Sequence, residues 1–430
     1  MIVIKQEDFI ASVYGALQYI SYYHPTDYIE NLARAHEREQ SPAAKDAIAQ
    51  ILINSRMCAE GHRPICQDTG VVNAFVKVGM DVRFEGPDGG APTLDIQGMV
   101  DEGVRRAYTD PDNTLRASML ADPAGARKNT RDNTPAVVNV ELVRGNTVEI
   151  TVAAKGGGSE AKSKFAMLNP SDSIVEWVLK TVPTMGAGWC PPGMLGIGIG
   201  GTAEKAMLLA KQSLMDPIDI QDLIERGPQT TAEKLRVELY EKVNRLGIGA
   251  QGLGGLTTVL DVKVLDVPCH AANLPVAMIP NCAATRHAHI VLDGSGPAYL
   301  DPPSLDAWPK LTYDVSSARR VNLDTVTRAE AATWKPGEVL LLNGKLLTGR
   351  DAAHKRMSDM LNRGEKLPVD FKDRFIYYVG PVDPVREEVI GPASPAQKLE
   401  EQKKDHTDQT ADEGAVEANP VQILADLLLD

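Results

Sequence analysis

The sequence predicts an α/β protein in which a large N-terminal mixed α/β domain precedes a smaller C-terminal domain. Of its 430 residues, 43% are hydrophobic, which is typical of a soluble globular protein with roughly 100–200 residues per domain. Helical and strand patterns alternate with glycine-rich loops through the first two thirds of the chain, and the composition then changes twice. We therefore expect a domain at 1–293, a linker at 294–323, a second domain at 324–395 and a disordered acidic tail at 396–430.

Charge and hydropathy argue against several classes of protein. The chain has 45 Lys and Arg residues against 58 Asp and Glu, a net charge of −13. Because no stripe is rich in Lys or Arg, nucleic acids and membrane surfaces are not expected partners. No apolar run reaches the ~18 residues of a membrane helix, and Lys5, Glu7 and Asp8 come too early for a signal-peptide core. We expect a cytoplasmic protein, in which any small anionic substrate is bound by a local group of cations.

Local patterns predict individual elements of the N-terminal domain. Ser41, which precedes a proline, predicts the start of a helix, and Ser173 with Glu176 forms a capping box for another. Apolar residues alternate on either side of residues 144–146, which predicts a β-hairpin over residues 138–152.

A glycine pattern leads to a first functional hypothesis. Gly196-x-Gly198-x-x-Gly201 stands before a helix capped by Thr202 and matches the dinucleotide-binding fingerprint, as in nicotinamide enzymes. That fingerprint needs an uninterrupted strand before its first glycine, whereas prolines occupy positions 191–192. We therefore favour the alternative, in which the glycines allow a helix to pack closely on a strand.

Five cysteines lead to further hypotheses. Their number is odd and no C-x-x-C pair occurs, so without an export signal we expect thiols rather than a disulfide framework. Cys190 precedes two prolines, which restrain a backbone as a metal ligand requires. Asp68, in the loop after Cys66, either caps its own turn or belongs to a site. A zinc site is a separate hypothesis for the group His270, Cys282, His287 and His289.

Eight separated motifs carry the most specific information. They are ICQDTG (65–70), DNTLR (112–116), AAKGGGSEAKSKFAMLNPSDSI (153–174), GWCPPG (188–193), GIGAQGLGG (247–255), PCHAANLPVAMIPNC (268–282), LLNGKLLTGRDAAHKRM (341–357) and IYYVGP (376–381). Together they resemble the class I, iron–sulfur fumarate hydratases, including the closely related tartrate dehydratases, over roughly residues 5–395. The resemblance implies an N-terminal cluster-binding domain, a C-terminal swivelling β/β/α domain and a homodimer.

The resemblance implies a 4Fe-4S cluster held by three cysteines, with one iron that no protein thiolate binds. The matching positions are Cys66, Cys190 and Cys282, whereas Cys58 and Cys269 fall outside the pattern. The open iron is a Lewis acid for the hydroxyl and one carboxylate of the substrate. The implied reaction is the reversible hydration of fumarate to (S)-malate. The alternatives are an L-tartrate dehydratase and an inactive cluster-binding remnant.

The same resemblance implies roles around a small dicarboxylate substrate. Asp68 corresponds to the acid that protonates the departing hydroxyl. The positions that correspond to substrate-binding groups are Gln67, Arg116, the Gly158 backbone, His270 and Arg350.

The C-terminal part departs from the family pattern around Pro395. The family has a GPTTxxR motif there, whose Thr removes the C3 proton of malate and whose Arg binds a carboxylate. This chain has Ala393 and Ser394 after Gly391-Pro392, and Gln397 stands where the Arg belongs. We therefore expect a truncated or altered, incomplete C-terminal domain and impaired hydratase activity.

Overall fold

The computed structural model of the protein describes residues 2–112, 115–311, 318–335, 338–349, 351–377 and 423–425. The described residues up to Pro309 form one compact unit, and those from Lys310 onward form a second.

Helices and strands alternate along the chain. The helices are α1 (Gln6–Tyr22), α2 (Thr26–Arg38), α3 (Pro42–Gly61), α4 (Ile96–Tyr108), α5 (Gly157–Glu160), α6 (Ile174–Thr181), α7 (Ala203–Ser213), α8 (Ile220–Arg226), α9 (Thr231–Asn244), α10 (Arg328–Ala331) and α11 (Asp351–Asn362). The strands are β1 (Ile2–Lys5), β2 (Val71–Gly79), β3 (Val82–Glu85), β4 (Leu120–Ala121), β5 (Lys128–Asn129), β6 (Val137–Val143), β7 (Val148–Lys155), β8 (Lys164–Leu168), β9 (Gly193–Gly201), β10 (Val259–Cys269), β11 (Leu274–Asn281), β12 (His287–Leu292), β13 (Arg319–Asn322), β14 (Leu340–Asn343), β15 (Leu347–Thr348), β16 (Ile376–Tyr377) and β17 (Ile423–Ala425). This mixture confirms the predicted α/β class. Among the described helices, none is both long and apolar enough to cross a bilayer.

The first sheet of the N-terminal unit has the strand order β12-β7-β2-β6. β2 runs parallel to β6 and antiparallel to β7. Phe9, Val13 and Leu17 lie four residues apart on α1, so they form one apolar stripe, and all three are buried. This stripe joins apolar residues of α4, β2 and β7 in a single core.

The predicted hairpin over residues 138–152 is wrong. A short turn joins β6 and β7, but β2 lies between them in the described sheet. Gly145 in this turn has a φ of +128°. A Cβ on Gly79, at the end of β2, would lie 2.5 Å from the Gly145 carbonyl oxygen. The alternating pattern identified both strands, but it carries no information about which strand lies beside them.

The glycine pattern lies inside the second sheet, whose strand order is β10-β9-β11-β8. All three of its glycines belong to β9 itself. A Cβ on Gly196 would lie 2.1 Å from the Ala210 carbonyl oxygen of α7, and one on Gly198 would lie 1.9 Å from that of Ala206. These glycines allow α7 to pack directly on β9, which confirms the close-packing alternative.

The second unit is smaller. Its described residues include a parallel sheet of order β13-β14-β17 and a parallel pair of β15 and β16. Val321, Leu323 and Leu340 form its buried core. β13 lies within the range predicted as a linker, and only Ile423–Ala425 of the predicted acidic tail is described. The domain boundaries remain predictions.

A buried hydrogen-bond chain joins distant segments of the first unit. Trp308 Nε1 donates to Ser55 Oγ at 2.8 Å, and Ser55 Oγ donates to His24 Nδ1 at 2.7 Å. His24 Nε2 donates to the Ala283 carbonyl oxygen at 3.0 Å. This tautomer is assigned because a carbonyl can only accept. Burial lowers the pKa of His24 to about 3, so the folded protein holds the neutral ring.

We expect His24 to make the apoprotein less stable in acid. Between its unfolded pKa of ~6.5 and its folded value of about 3, only the unfolded chain binds the proton, so stability falls as pH falls. From pH 7 to pH 5 the wild type should lose about 2 kcal/mol more free energy of unfolding than His24→Gln. Urea unfolding at both pH values measures this difference. The exposed His289→Gln is the control, and an equal loss in wild type and His24→Gln would contradict the assignment.

Candidate active site

Two loops meet at one edge of the first sheet. Val71, the first residue of β2, pairs with Lys155, the last residue of β7, so the loop before β2 lies beside the loop after β7. Asp68 joins these loops. Its Oδ1 accepts from the Gly70 N–H at 3.0 Å, and its Oδ2 accepts from the Gly157 N–H at 2.7 Å. The first bond is the local turn that the sequence allows, and the second is a tertiary contact that fixes the carboxylate.

Two other loops meet at the edge of the second sheet. Met194 of β9 pairs with Asn281, the last residue of β11. Cys190 shortly before β9 and Cys282 just after β11 therefore lie at the same end of neighbouring strands. The Ala283 N–H donates to the Cys190 carbonyl oxygen at 2.9 Å, so the backbones that carry two predicted ligands are hydrogen-bonded.

Cys66, the third predicted ligand, lies within the electrostatic range of Cys282 and Arg286. Its Sγ donates to Gln67 Oε1 at 3.1 Å. Burial raises the pKa of the Cys66 thiol to about 11, while the Arg286 charge acts to lower it and Cys282 acts to raise it. Thiolates are the form that binds metal, so metal binding at Cys66 has to overcome this desolvation.

The space between these loops suits an iron–sulfur cluster. A Cβ on Gly156 would lie 3.4 Å from Asp68 Oδ2, 3.6 Å from Arg286 Nη2 and 3.9 Å from Cys282 Sγ. A group at this position would thus be in ordinary contact with a carboxylate, a guanidinium and a thiol. The thiolates of a cluster bind different irons, so they need not converge on one point. The residues present therefore fit a cluster.

The zinc hypothesis finds no support. In the described part of the chain, no three His, Cys, Asp or Glu side chains are placed to hold a single metal ion. His289 is exposed and its Nδ1 lies 3.2 Å from Thr151 Oγ1. The histidines of strand β12 are thus structural or surface residues rather than zinc ligands.

Sequence analysis missed two buried cations near Cys282. Lys155 Nζ donates to Ser159 Oγ at 2.6 Å and to the Pro280 carbonyl oxygen at 2.5 Å, and burial lowers its pKa to about 8. Arg286 is 3% exposed, and its Nε and Nη2 have no hydrogen-bond partner among the described residues. The signals were that Lys155 stands inside one of the eight motifs and that Arg286 follows another by four residues. Neither position belongs to a hydrophobic period that would have singled it out.

Three of the predicted substrate-binding residues lie near the Asp68 edge. Gln67 and Gly158 belong to the two loops that meet there. Arg116 is exposed, and Thr69 Oγ1 donates to its carbonyl oxygen, which holds the Arg116 backbone beside the first loop. Arg350 lies outside the described residues.

His270 lies at the other end of the second sheet. It follows Cys269, which pairs with Gly201 at the end of β9, whereas Cys190 lies before the start of β9 at Gly193. β9 has nine residues, and such a strand is about 30 Å long. Within one chain, the structure does not bring His270 to the loops that carry the predicted cluster ligands.

These features define an α/β protein in which three cysteine-bearing loops, a fixed carboxylate and buried cations lie at adjoining sheet edges. Residues 10–291 match the family profile described as fumarate hydratase (Fumerase), and residues 294–414 match the one described as fumarase C-terminus. The chain belongs to the class I fumarate hydratase family. The second match extends past Pro395, so the expected truncation there is not confirmed.

Curated relatives fall into two named groups. The chain is 37% identical to a provisionally named L(+)-tartrate dehydratase alpha subunit of Methanocaldococcus jannaschii, over 62% of this chain and 91% of the relative. It is 30% identical to the anaerobic class I fumarate hydratase of Escherichia coli K12, over 80% of this chain and 64% of the relative. It is also 30% identical to the L(+)-tartrate dehydratase alpha subunit of Escherichia coli O157:H7, over 62% of this chain and 85% of that subunit. The chain thus spans less than two thirds of the fumarate hydratase.

We expect Gly156→Ala to fold normally and to bind iron at least about tenfold more weakly, as when groups around a metal site are changed. The added methyl meets no protein atom closer than 3.4 Å, but it occupies the space between Asp68, Arg286 and Cys282. Iron per chain after anaerobic reconstitution, together with the melting temperature, measures both effects. Gly15→Ala, where a Cβ would have no neighbour within 4 Å, is the control. Full iron loading in Gly156→Ala would place the cluster elsewhere.

Proposed function

We propose that this protein is a hydro-lyase that reversibly hydrates fumarate to (S)-malate. The observation that carries the proposal is the Asp68 carboxylate, which two backbone N–H groups hold at an edge bordered by Cys282 and Arg286. A carboxyl group fixed in this way can donate a proton at one point when it is protonated and accept one there when it is ionised, without reorganising. Membership of the fumarate hydratase family supports this reaction class.

The proposal includes a 4Fe-4S cluster bound by Cys66, Cys190 and Cys282. When bound, a cluster with one iron free of protein thiolate supplies a Lewis acid for the hydroxyl and a carboxylate oxygen of the substrate. The protein contributes the thiols, the absence of a side chain at Gly156 and the positive charge of Arg286.

The remaining roles belong to residues of this chain. In the dehydration direction, protonated Asp68 donates its proton to the departing hydroxyl oxygen and becomes a carboxylate, and in the hydration direction this carboxylate takes a proton back from water. Arg116 and Arg350 balance the substrate carboxylates, because an unpaired dianion is costly to desolvate. Gln67 and the Gly158 N–H orient the substrate. The base that removes the C3 proton belongs to residues 391–400, which lie outside the described part of the chain.

L-tartrate dehydration is the second candidate activity, because the archaeal relative described above carries that name. L-tartrate dehydration is the same kind of reaction, an elimination of water from a hydroxy diacid, so the described residues suit both malate and L-tartrate. Initial rates with malate, fumarate and L-tartrate on the anaerobically reconstituted protein separate the two activities. If the protein held a cluster but converted none of the three compounds, it would be the inactive cluster-binding remnant.

We propose a cytoplasmic location and no nucleic-acid or membrane partner.

We expect Cys66→Ser, Cys190→Ser and Cys282→Ser each to abolish binding of about four irons per chain, because a three-thiolate site has no spare ligand. Iron and sulfide analysis and visible absorption after anaerobic reconstitution measure the cluster. Cys58→Ser and Cys269→Ser are matched controls that should keep it. Near-stoichiometric zinc without visible absorption in the wild type would rule the cluster out.

We further propose a homodimer in which His270 serves the site of the second copy. The support is its placement, since His270 lies about one nine-residue strand, roughly 30 Å, from the end of β9 nearest Cys190. A symmetric dimer can bring two such distant regions of one chain together across its interface.

We expect an inactive Asp68→Asn chain and an inactive His270→Ala chain to restore activity when they are co-expressed. If each site takes its His270 from the second copy, one of the two sites in a hybrid dimer combines an intact Asp68 with an intact His270. With random pairing, about a quarter of all sites recover. Differently tagged chains, purified in tandem, isolate the hybrid for assay. If His270 acted within its own chain, each hybrid site would carry one defect and the activity would stay at background.

A further inference from the structure

Arg286 is a buried cation whose donors the described protein leaves unused. The side chain is 3% exposed, and its Nε and Nη2 have no hydrogen-bond partner among the described residues. A buried charge without a partner is strongly unfavourable, and native proteins rarely keep one. The arrangement therefore indicates an anionic or acceptor group that the polypeptide itself does not supply.

Two other cations in the described part of the chain, one buried and one largely buried, make the bonds that Arg286 lacks. Lys155, 2% exposed, donates to Ser159 and to the Pro280 carbonyl. Arg236 Nε donates to the Val262 carbonyl oxygen at 2.9 Å, and its Nη2 pairs with Asp219 and Asp261. The absence of hydrogen-bond partners at Arg286 is thus not shared by these two side chains.

Two cysteine side chains, Cys282 and Cys66, lie in the surroundings of Arg286. Its Nη2 and the Cys282 Sγ lie 3.6 and 3.9 Å from the same point, the Cβ position of Gly156. Its charge also acts on the Cys66 thiol. The nearest carboxylate at that point, Asp68, already accepts two backbone hydrogen bonds, and the described residues hold no ion pair to Arg286 within 4 Å.

We propose that the Arg286 guanidinium donates its Nε–H and Nη2–H to sulfur of the iron–sulfur cluster and its cysteine thiolates. This inference rests on the proposed function, in that it requires the cluster. Hydrogen bonds and positive charge at the sulfurs favour retention of an anionic cluster and stabilise its reduced state. A substrate carboxylate is the less suitable acceptor, because Arg286 is almost fully buried whereas the Arg116 side chain is exposed. Arg286 is thus a positioning residue for the cofactor.

The test compares wild type with Arg286→Gln, Arg286→Lys and Arg236→Gln, all reconstituted anaerobically with iron and sulfide. Arg286→Gln should release iron to a chelator about 10–100 times faster than wild type, as expected when a group that supports metal ligands is removed. Its cluster midpoint potential should become more negative, because a cation that favours the reduced state is lost. The iron release rate and the potential of Arg286→Lys should lie between those of wild type and Arg286→Gln, since the charge remains and the planar guanidinium is lost. Arg236→Gln should lower the melting temperature and leave the potential unchanged.

A second measurement gives its main result on the wild type, so this result does not depend on whether a variant folds. Protein labelled with ¹⁵N in the arginine guanidinium should show ¹⁵N hyperfine coupling in the spectrum of the reduced cluster, and Arg286→Lys should lose it. An unchanged potential and iron release in Arg286→Gln, or no coupling in wild type, would overturn the proposal. Weaker fumarate binding with an unchanged cluster would assign Arg286 to the substrate instead and also overturn it. If the wild type binds no cluster, the proposed cofactor itself fails, and the inference fails with it.

Discussion

The short crossover from β11 to β12 is the constraint on which the candidate site depends. Residues 283–286 carry the chain from the second sheet to the first, and the Ala154 N–H donates to the Arg286 carbonyl oxygen at 3.0 Å. Because this connection is only a few residues long, it cannot reach far, and Cys282 and Arg286 must lie beside the loop that follows β7. The Asp68 loop is held there in turn by the pairing of β2 with β7. The site is therefore a consequence of how two sheets are joined.

The electrostatics of the site oppose those of the whole chain. A protein with a net charge of −13 places two buried cations, Lys155 and Arg286, near the thiols of Cys282 and Cys66. Burial disfavours the Cys66 thiolate and the charged form of Lys155 alike. When opposite charges lie close together in a buried region, their attraction helps thiolates and cations to stay ionised.

Glycine serves two unrelated purposes in this fold. At Gly196 and Gly198 the missing Cβ lets α7 lie directly on β9, where any side chain would overlap the helix backbone. At Gly156 the neighbours stand at ordinary contact distance, so the missing Cβ leaves space beside functional groups instead of permitting close packing. A glycine motif in sequence does not distinguish these cases, since both are defined by what lies opposite.

The sequence by itself determined the α/β class, the helix starts after Ser41 and Ser173, and the family, because caps, periodicity and separated motifs are local signals. It did not determine that β2 lies between β6 and β7, since alternation identifies a strand and not its neighbour. Only the tertiary structure revealed three features: the second hydrogen bond to Asp68, the two Arg286 nitrogens that have no partner among the described residues, and the distant position of His270. Each of these depends on strand order and on which ends of paired strands coincide, and no run of neighbouring residues encodes that.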